Sequence, residues 1–281
     1  MVFFIIPFWD VVRRAFTDGM GTSFVGMENF RRVWANQAFR LAAFNTLRYE
    51  ALCIPFLLAV SLGLALLVNR QWVRAERRGR GAGIFEATLA LPMAIPAASM
   101  VLVWKILFCP EGLLNQMLTA VGGVAWERDW VNSPSAFSVL IATYLWKNAG
   151  YDMLLWLAGL RAIPESLYEA ARVDGAGTFP LFWYITLPGL RGAAGMIAVL
   201  SIVNSFQVFR EAYLLAGSYP QQGIYLLQHL FNHWFLNLDV QMMCAASVMI
   251  VGSCLVPVMA GRGIFKEETR WFGKTGDARE S

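Results

Sequence analysis

Few residues in this chain have the types and spacing for covalent or metal chemistry. His229 and His233 lie four apart, so a helix sets both on one face. No carboxylate joins them in the H-E-x-x-H order of a zinc hydrolase. The four cysteines, Cys53, Cys109, Cys244 and Cys254, are scattered, three of them within apolar runs, and read as free thiols packed in helices. No G-x-x-x-x-G-K-[ST] occurs, so the chain does not hold nucleotide by that route. What remains is polarity in apolar surroundings. Lys147, Asn148, Tyr151 and Asp152 interrupt an apolar run over residues 136–160, with Trp156 following; Asn204 and Gln207 share one face of another run. Charges at membrane depth are costly and usually face the interior of a bundle, where they pair. Lys147 and Asp152 are five apart and need not bond to one another. One reading makes these residues the lining of a path for a polar solute. The other makes them interhelical hydrogen bonds that hold the bundle.

The elements that position them are long and apolar. With 57% hydrophobic and 15% charged residues, the 281-residue chain is too apolar for an ordinary soluble domain. The net charge of +4 is modest, and the basic residues cluster in particular stretches, which argues against a nucleic-acid face. About 20 apolar residues are needed to cross a bilayer as a helix. Residues 49–68 supply such a span, with Pro55 as an expected kink and Ala59, Gly63 and Ala65 as close-packing points. Further spans are expected over 84–108, interrupted by Pro92 and Pro96, and over 136–160, 192–216 and 240–260. The run over residues 1–9 is about half a span, without a basic n-region or an A-x-A-like cleavage site; the chain is expected to start inside its first helix, the alternative being a short interfacial helix.

Between the fourth and fifth spans lies EAARVDGAGTFPLFWYITLP, residues 169–188. Pro164 and Glu165 suit a helix start, and Gly175 and Gly177 suit its end. Thr178 is expected to cap a second short helix from Phe179, and Phe182, Trp183 and Ile185 to pack the hairpin back onto the bundle. Seven of these positions, Glu169, Ala170, Ala171, Gly175, Ile185, Leu187 and Pro188, follow a fixed order: Glu-Ala-Ala, three residues, Gly, nine residues, Ile-x-Leu-Pro. At ordinary residue frequencies that order arises by accident on the order of once in 10^8 placements.

The order resembles the EAA loop of ABC importer permeases, and with Asp174 the phrase YEAARVDGAG resembles the carbohydrate branch, the permeases of maltose, multiple-sugar and glycerol-phosphate importers. The resemblance covers about residues 24–260. It implies one all-α transmembrane domain of about six helices over residues 1–281, with a cytoplasmic ATPase-coupling loop over 161–191. It also implies a non-catalytic subunit that pairs with a second, homologous permease and two ATPase subunits, the latter binding ATP and Mg while this chain binds no cofactor. A sugar would arrive from an extracytoplasmic solute-binding protein, in a bacterial inner membrane. The departures are the short first span and the absence of a large external insertion.

Charge gives a separate view of orientation. Residues 69–80, 161–191 and 261–281 hold 13 of the 23 Lys and Arg, whereas residues 121–134 and 218–239 hold one. The positive-inside rule then sets the first group, and the C-terminus, in the cytoplasm, although Arg31, Arg32 and Arg40 fit less well. Arg210 and Glu211 are expected near the external interface, where long side chains snorkel. Two alternatives stand: an ABC permease for a non-sugar solute, and an ion-gradient-driven carrier using Lys147 and Asp152.

Overall fold

The computed structural model describes residues 2–19, 21, 23–76, 83–123, 125–205, 208–218 and 220–253. Among them there is no strand; an isolated antiparallel bridge joins Thr17 and Phe24. In chain order the helices are α1 (Val2–Ala15), α2 (Glu28–Ala35), α3 (Gln37–Glu76), α4 (Gly83–Ala94), α5 (Ala97–Phe108), α6 (Leu113–Gly122), α7 (Ala136–Ala162), α8 (Glu165–Val173) and α9 (Thr178–Leu181). A π-helical turn (Phe182–Thr186) follows, then α10 (Leu187–Gly189), α11 (Arg191–Ser205), α12 (Val208–Ala216), α13 (Leu227–Leu236) and α14 (Val240–Ser253). This is the all-α polytopic architecture that the apolar runs demand. Gln37–Asn69, Ala97–Gly122 and Arg191–Ala216 are each long and apolar enough to cross a membrane. The 27 residues of α7 span about 40 Å at 1.5 Å per residue, with Lys147 and Asp152 inside.

Several local expectations change. α3 begins at Gln37, twelve residues before the apolar run, and Pro55 lies inside it without ending it. Proline removes one hydrogen bond, and a 40-residue helix keeps the rest. At the third span, Pro96 instead separates α4 from α5, with an extended N-cap at φ −56° and ψ 138°. Residues 218–239 are not a plain loop, because α13 forms within them. The arginines at 77, 78 and 80, Cys254 and the basic tail over 261–281 lie outside the described residues.

The chain divides into two compact units, residues 1–48 with 216–281, and residues 49–215. In the first, Ala15, Val33, Phe39, Ala42, Leu230, Trp234 and Ala245 form the buried core. Its irregular segments are tied by side-chain amides. Asn29 Nδ2 donates to the carbonyls of Ala15 (3.0 Å) and Thr17 (2.8 Å), and Asn45 Nδ2 donates to those of Gln222 and Tyr225. Such bonds satisfy buried backbone where no helix does. The two histidines serve the same end: His229 Nδ1 accepts from the Leu226 N–H at 3.2 Å, and His233 Nδ1 meets the Tyr225 hydroxyl at 3.3 Å.

The second unit is organised on α7. Met153, Trp156, Leu157 and Leu160 are buried against Ala65, Val68, Leu190 and Ile197. The close approach comes from α7's own glycines. A Cβ built on Gly150 would stand 1.8 Å from the Leu89 carbonyl oxygen, and one on Gly159 would stand 2.8 Å from the Ala193 Cβ. Small residues let helix backbones meet in this way. Gly63, expected to do so, has nothing within 4 Å of its Cβ position, while Ala65 is fully buried.

Candidate functional site

The EAA order folds as a helical hairpin. α8 carries Glu169, Ala170 and Ala171, and none of its nine residues is buried. It ends at Asp174 in a Schellman arrangement: the Gly175 N–H donates to the Arg172 carbonyl (3.0 Å) and the Ala176 N–H to the Ala171 carbonyl (2.9 Å). Gly175 sits at φ +78°, where a side chain is strained. Thr178 is not the cap; it occupies the first turn of α9, and Gly177 takes the N-cap position in an extended conformation.

The return limb differs from expectation in one respect. Trp183 is 52% exposed and stacks on Phe179 at 6.1 Å. Thr186 is the residue buried in this turn, because the π-helical stretch rotates the side chains between Phe182 and Thr186. The Thr186 hydroxyl and the Tyr168 hydroxyl are hydrogen-bonded at 3.0 Å, tying α8 to the base of the fifth span. Ile185 is half-buried, Leu187 exposed, and Pro188 lies in the first turn of α10. Val173 and Phe179 are also exposed, so the hairpin offers an apolar surface flanked by the carboxylates of Glu169 and Asp174.

The polar residues of α7 separate into two groups. Asp152 and Trp156 are buried and engaged: Ser201 Oγ donates to Asp152 Oδ2 at 3.1 Å, and Trp156 Nε1 donates to Ser61 Oγ at 3.0 Å. These are interhelical bonds from α7 to α11 and α3. Tyr151 is half-buried and does not reach the cavity described next. Lys147 and Asn148 do line it, together with Asn204 of α11. Gln207 lies outside the described residues.

This cavity measures about 320 Å³ and lies entirely within the second unit. Its wall is formed by the α4–α5 break (residues 93–97), by Tyr144, Lys147 and Asn148 of α7, by Asn204, and by Val208, Arg210 and Glu211 of α12. Interrupted helices are tolerated at membrane depth where they line such a space. Asn148 Nδ2 donates to the Tyr144 carbonyl at 2.8 Å, which leaves its side-chain oxygen to accept.

The pairing of Glu211 with Lys147 is not legible in the sequence, because 64 positions separate the two. The two form an ion pair with 18% and 14% of their side chains exposed. Its lone signal was an acid and a base in neighbouring apolar spans. Glu211, expected to snorkel at an interface, is instead held by Lys147, and Lys147 and Asp152, as their spacing allows, bond to other residues.

Residues 58–265 match the family described as "Binding-protein-dependent transport system inner membrane component". The trehalose/maltose transport permease MalF of Thermococcus litoralis is 32% identical over 226 residues, 78% of this chain and 74% of that protein. The sn-glycerol-3-phosphate transport permease UgpA of Pectobacterium atrosepticum is 30% identical over 260 residues, 89% and 84% of the two chains. The sulfoquinovosyl glycerol transport permease SmoG of Agrobacterium fabrum is 31% identical over 255 residues, 86% and 77%. In fold, a chain of a bacterial ABC transporter that imports the acidic polysaccharide alginate superposes with a TM-score of 0.78, at 22% identity, over 94% of this chain and 89% of that one. The chain belongs to the family of inner-membrane permease components of binding-protein-dependent transport systems.

Proposed function

We propose that this chain is one permease of an ATP-driven importer, that it passes a sugar or glycoside through the cavity bounded by Lys147, Asn148, Asn204, Arg210 and Glu211, and that the α8–α9 hairpin is where a partner ATPase grips it. The observation that carries the reading is the hairpin. A helix with no buried residue, ended by a glycine at φ +78°, has no packing reason to exist in the isolated chain, and it presents Glu169, Ala170, Ala171, Asp174 and Gly175 outward. The sugar class is supported by the named substrates of the relatives, and by amides and charges lining the cavity in place of a wholly apolar wall.

The ATPase subunits bind ATP and Mg and hydrolyse the ATP; this chain contributes neither cofactor nor catalysis. A second, homologous permease completes the path, and an extracytoplasmic binding protein delivers the solute. The hairpin faces the cytoplasm, as does the C-terminus. Closure of the ATPase dimer displaces α8, and the Tyr168–Thr186 bond carries that displacement to the fifth span. Nucleotide biases the permease only if the docked hairpin is bound with different affinity in the two states.

The test is purification of the tagged chain from its native membrane in mild detergent, beside a Glu169→Ala/Gly175→Leu variant. Wild type is expected to bring down an ATPase and a second permease, and the variant to stay in the membrane but lose the ATPase. A wild-type chain that comes alone would overturn the reading. A variant that retains the ATPase and transports normally would remove the hairpin from it.

A further inference from the structure

We infer that the cavity selects sugars bearing an oxyanion, such as a carboxylate, sulfonate or phosphate, with Arg210 as the anchoring cation. The inference rests on the reading of this cavity as the sugar path and adds the charge of its cargo. Three charged side chains line the wall: Lys147, Arg210 and Glu211. Lys147 and Glu211 neutralise one another in their ion pair. Arg210 is exposed, and among the described residues no carboxylate pairs with it. Among the described residues of this chain, the cavity therefore carries one uncompensated positive charge. The α4–α5 break does not change that sign, because the negative end of α4 and the positive end of α5 meet there and oppose.

The remaining lining groups complete a hydrogen-bonding set. Asn148 offers its side-chain oxygen, and Asn204 offers an amide for which no hydrogen bond is found among the described residues. Tyr144, 3% exposed, contributes to the same wall. A neutral sugar is usually held by an aromatic face and by carboxylate acceptors. Among the described residues of the wall, the one carboxylate is taken by Lys147, and the one aromatic ring, Tyr144, packs edge-on against Tyr49 with centroids 5.8 Å apart. Guanidinium groups bind carboxylate and phosphate through two parallel hydrogen bonds, and they do so more strongly away from bulk water. Snorkelling accounts for a cation near an interface. It does not account for one that shares a wall with Asn204 and Asn148.

The cargo and an anionic lipid headgroup offer the same oxyanion chemistry, and the experiment separates them. The complete importer, purified with its partner subunits and binding protein, is placed in proteoliposomes of phosphatidylcholine with or without phosphatidylglycerol. ATP-dependent uptake is then measured for a glucuronate-containing disaccharide, glycerol 3-phosphate, maltose and trehalose. Uptake of at least one of the two anionic compounds, in preference to the neutral sugars and in both lipid mixtures, is expected. Arg210→Gln should lower that uptake on the order of tenfold or more, while Arg210→Lys retains most of it and both variants still co-purify with the ATPase. Should the glutamine variant fail to assemble, the wild-type preference and the lysine variant decide the matter. Preferred import of a neutral sugar overturns the charge inference and leaves the importer reading standing. An effect of Arg210 seen only with phosphatidylglycerol assigns the residue to a headgroup and also overturns it. Absence of ATP-dependent uptake for all four compounds overturns the sugar-importer reading, and the inference falls with it.

Discussion

One hydrogen atom at Gly150 decides how near α7 comes to α4. An alanine methyl there would lie 1.8 Å from the Leu89 carbonyl oxygen and 3.0 Å from the Ala90 Cα, and both are backbone, which cannot swing aside as a side chain can. Overpacking a core usually costs about 1–3 kcal/mol, and a backbone clash belongs at the upper end. Gly150→Ala is therefore expected to lower the detergent melting temperature of the purified chain by several degrees, whereas Gly63→Ala, whose Cβ meets nothing within 4 Å, is expected to leave it unchanged. Equal effects at the two positions would contradict the packing described. The Lys147–Glu211 pair makes a second demand at this scale. Removing one partner leaves the other charge half-buried and unpaired, so Lys147→Met should destabilise, and Glu211→Gln in that background should restore part of the loss. Expressed as a coupling free energy from a double-mutant cycle, the expected value is about 0.5–3 kcal/mol. A coupling near zero would mean that the pair contributes nothing to stability.

At the scale of elements, the hairpin proposed to couple the chain to an ATPase has a polar fastening. α8 buries none of its own residues, and the hydroxyl bond between Tyr168 and Thr186 joins it to the turn that enters the fifth span. A hydrogen bond of this kind is worth about 1 kcal/mol net. Tyr168→Phe keeps the ring and removes the bond, so the ATPase should still co-purify while solute moved per ATP hydrolysed falls severalfold. Loss of the ATPase itself would instead place Tyr168 in the docking surface. Much of this element was legible in the sequence, since a glycine two places after the last turn of α8 and a proline before its first residue mark its ends by local chemistry. The π-helical turn was not legible. Phe182, Trp183 and Ile185 look like a packing face under a 3.6-residue period, and the wider turn hands the buried position to Thr186 instead.

At the scale of the whole molecule, the spans were legible because the bilayer imposes a length and a polarity on every segment that crosses it. The cavity was legible only in part. Asn148 and Asn204 announce themselves as amides within apolar runs, yet nothing local distinguishes them from Asp152 and Trp156, which the fold commits to Ser201 and Ser61. That division depends on which face of α7 meets α3 and α11, a tertiary matter. Orientation, by contrast, is a matter of charge counted over whole loops, and it gives a prediction that does not depend on any single contact. With the native cysteines removed, Glu127→Cys should react with a membrane-impermeant maleimide in intact cells, because residues 121–134 hold one basic residue and the positive-inside rule assigns such a stretch to the outside. Ser166→Cys, on the exposed first turn of α8, should react only after the membrane is permeabilised. Both positions are solvent-exposed in the fold, so a failure to label would reflect the membrane and not burial. The reverse pattern would set the hairpin outside, away from nucleotide, and no ATPase could then drive the chain through it.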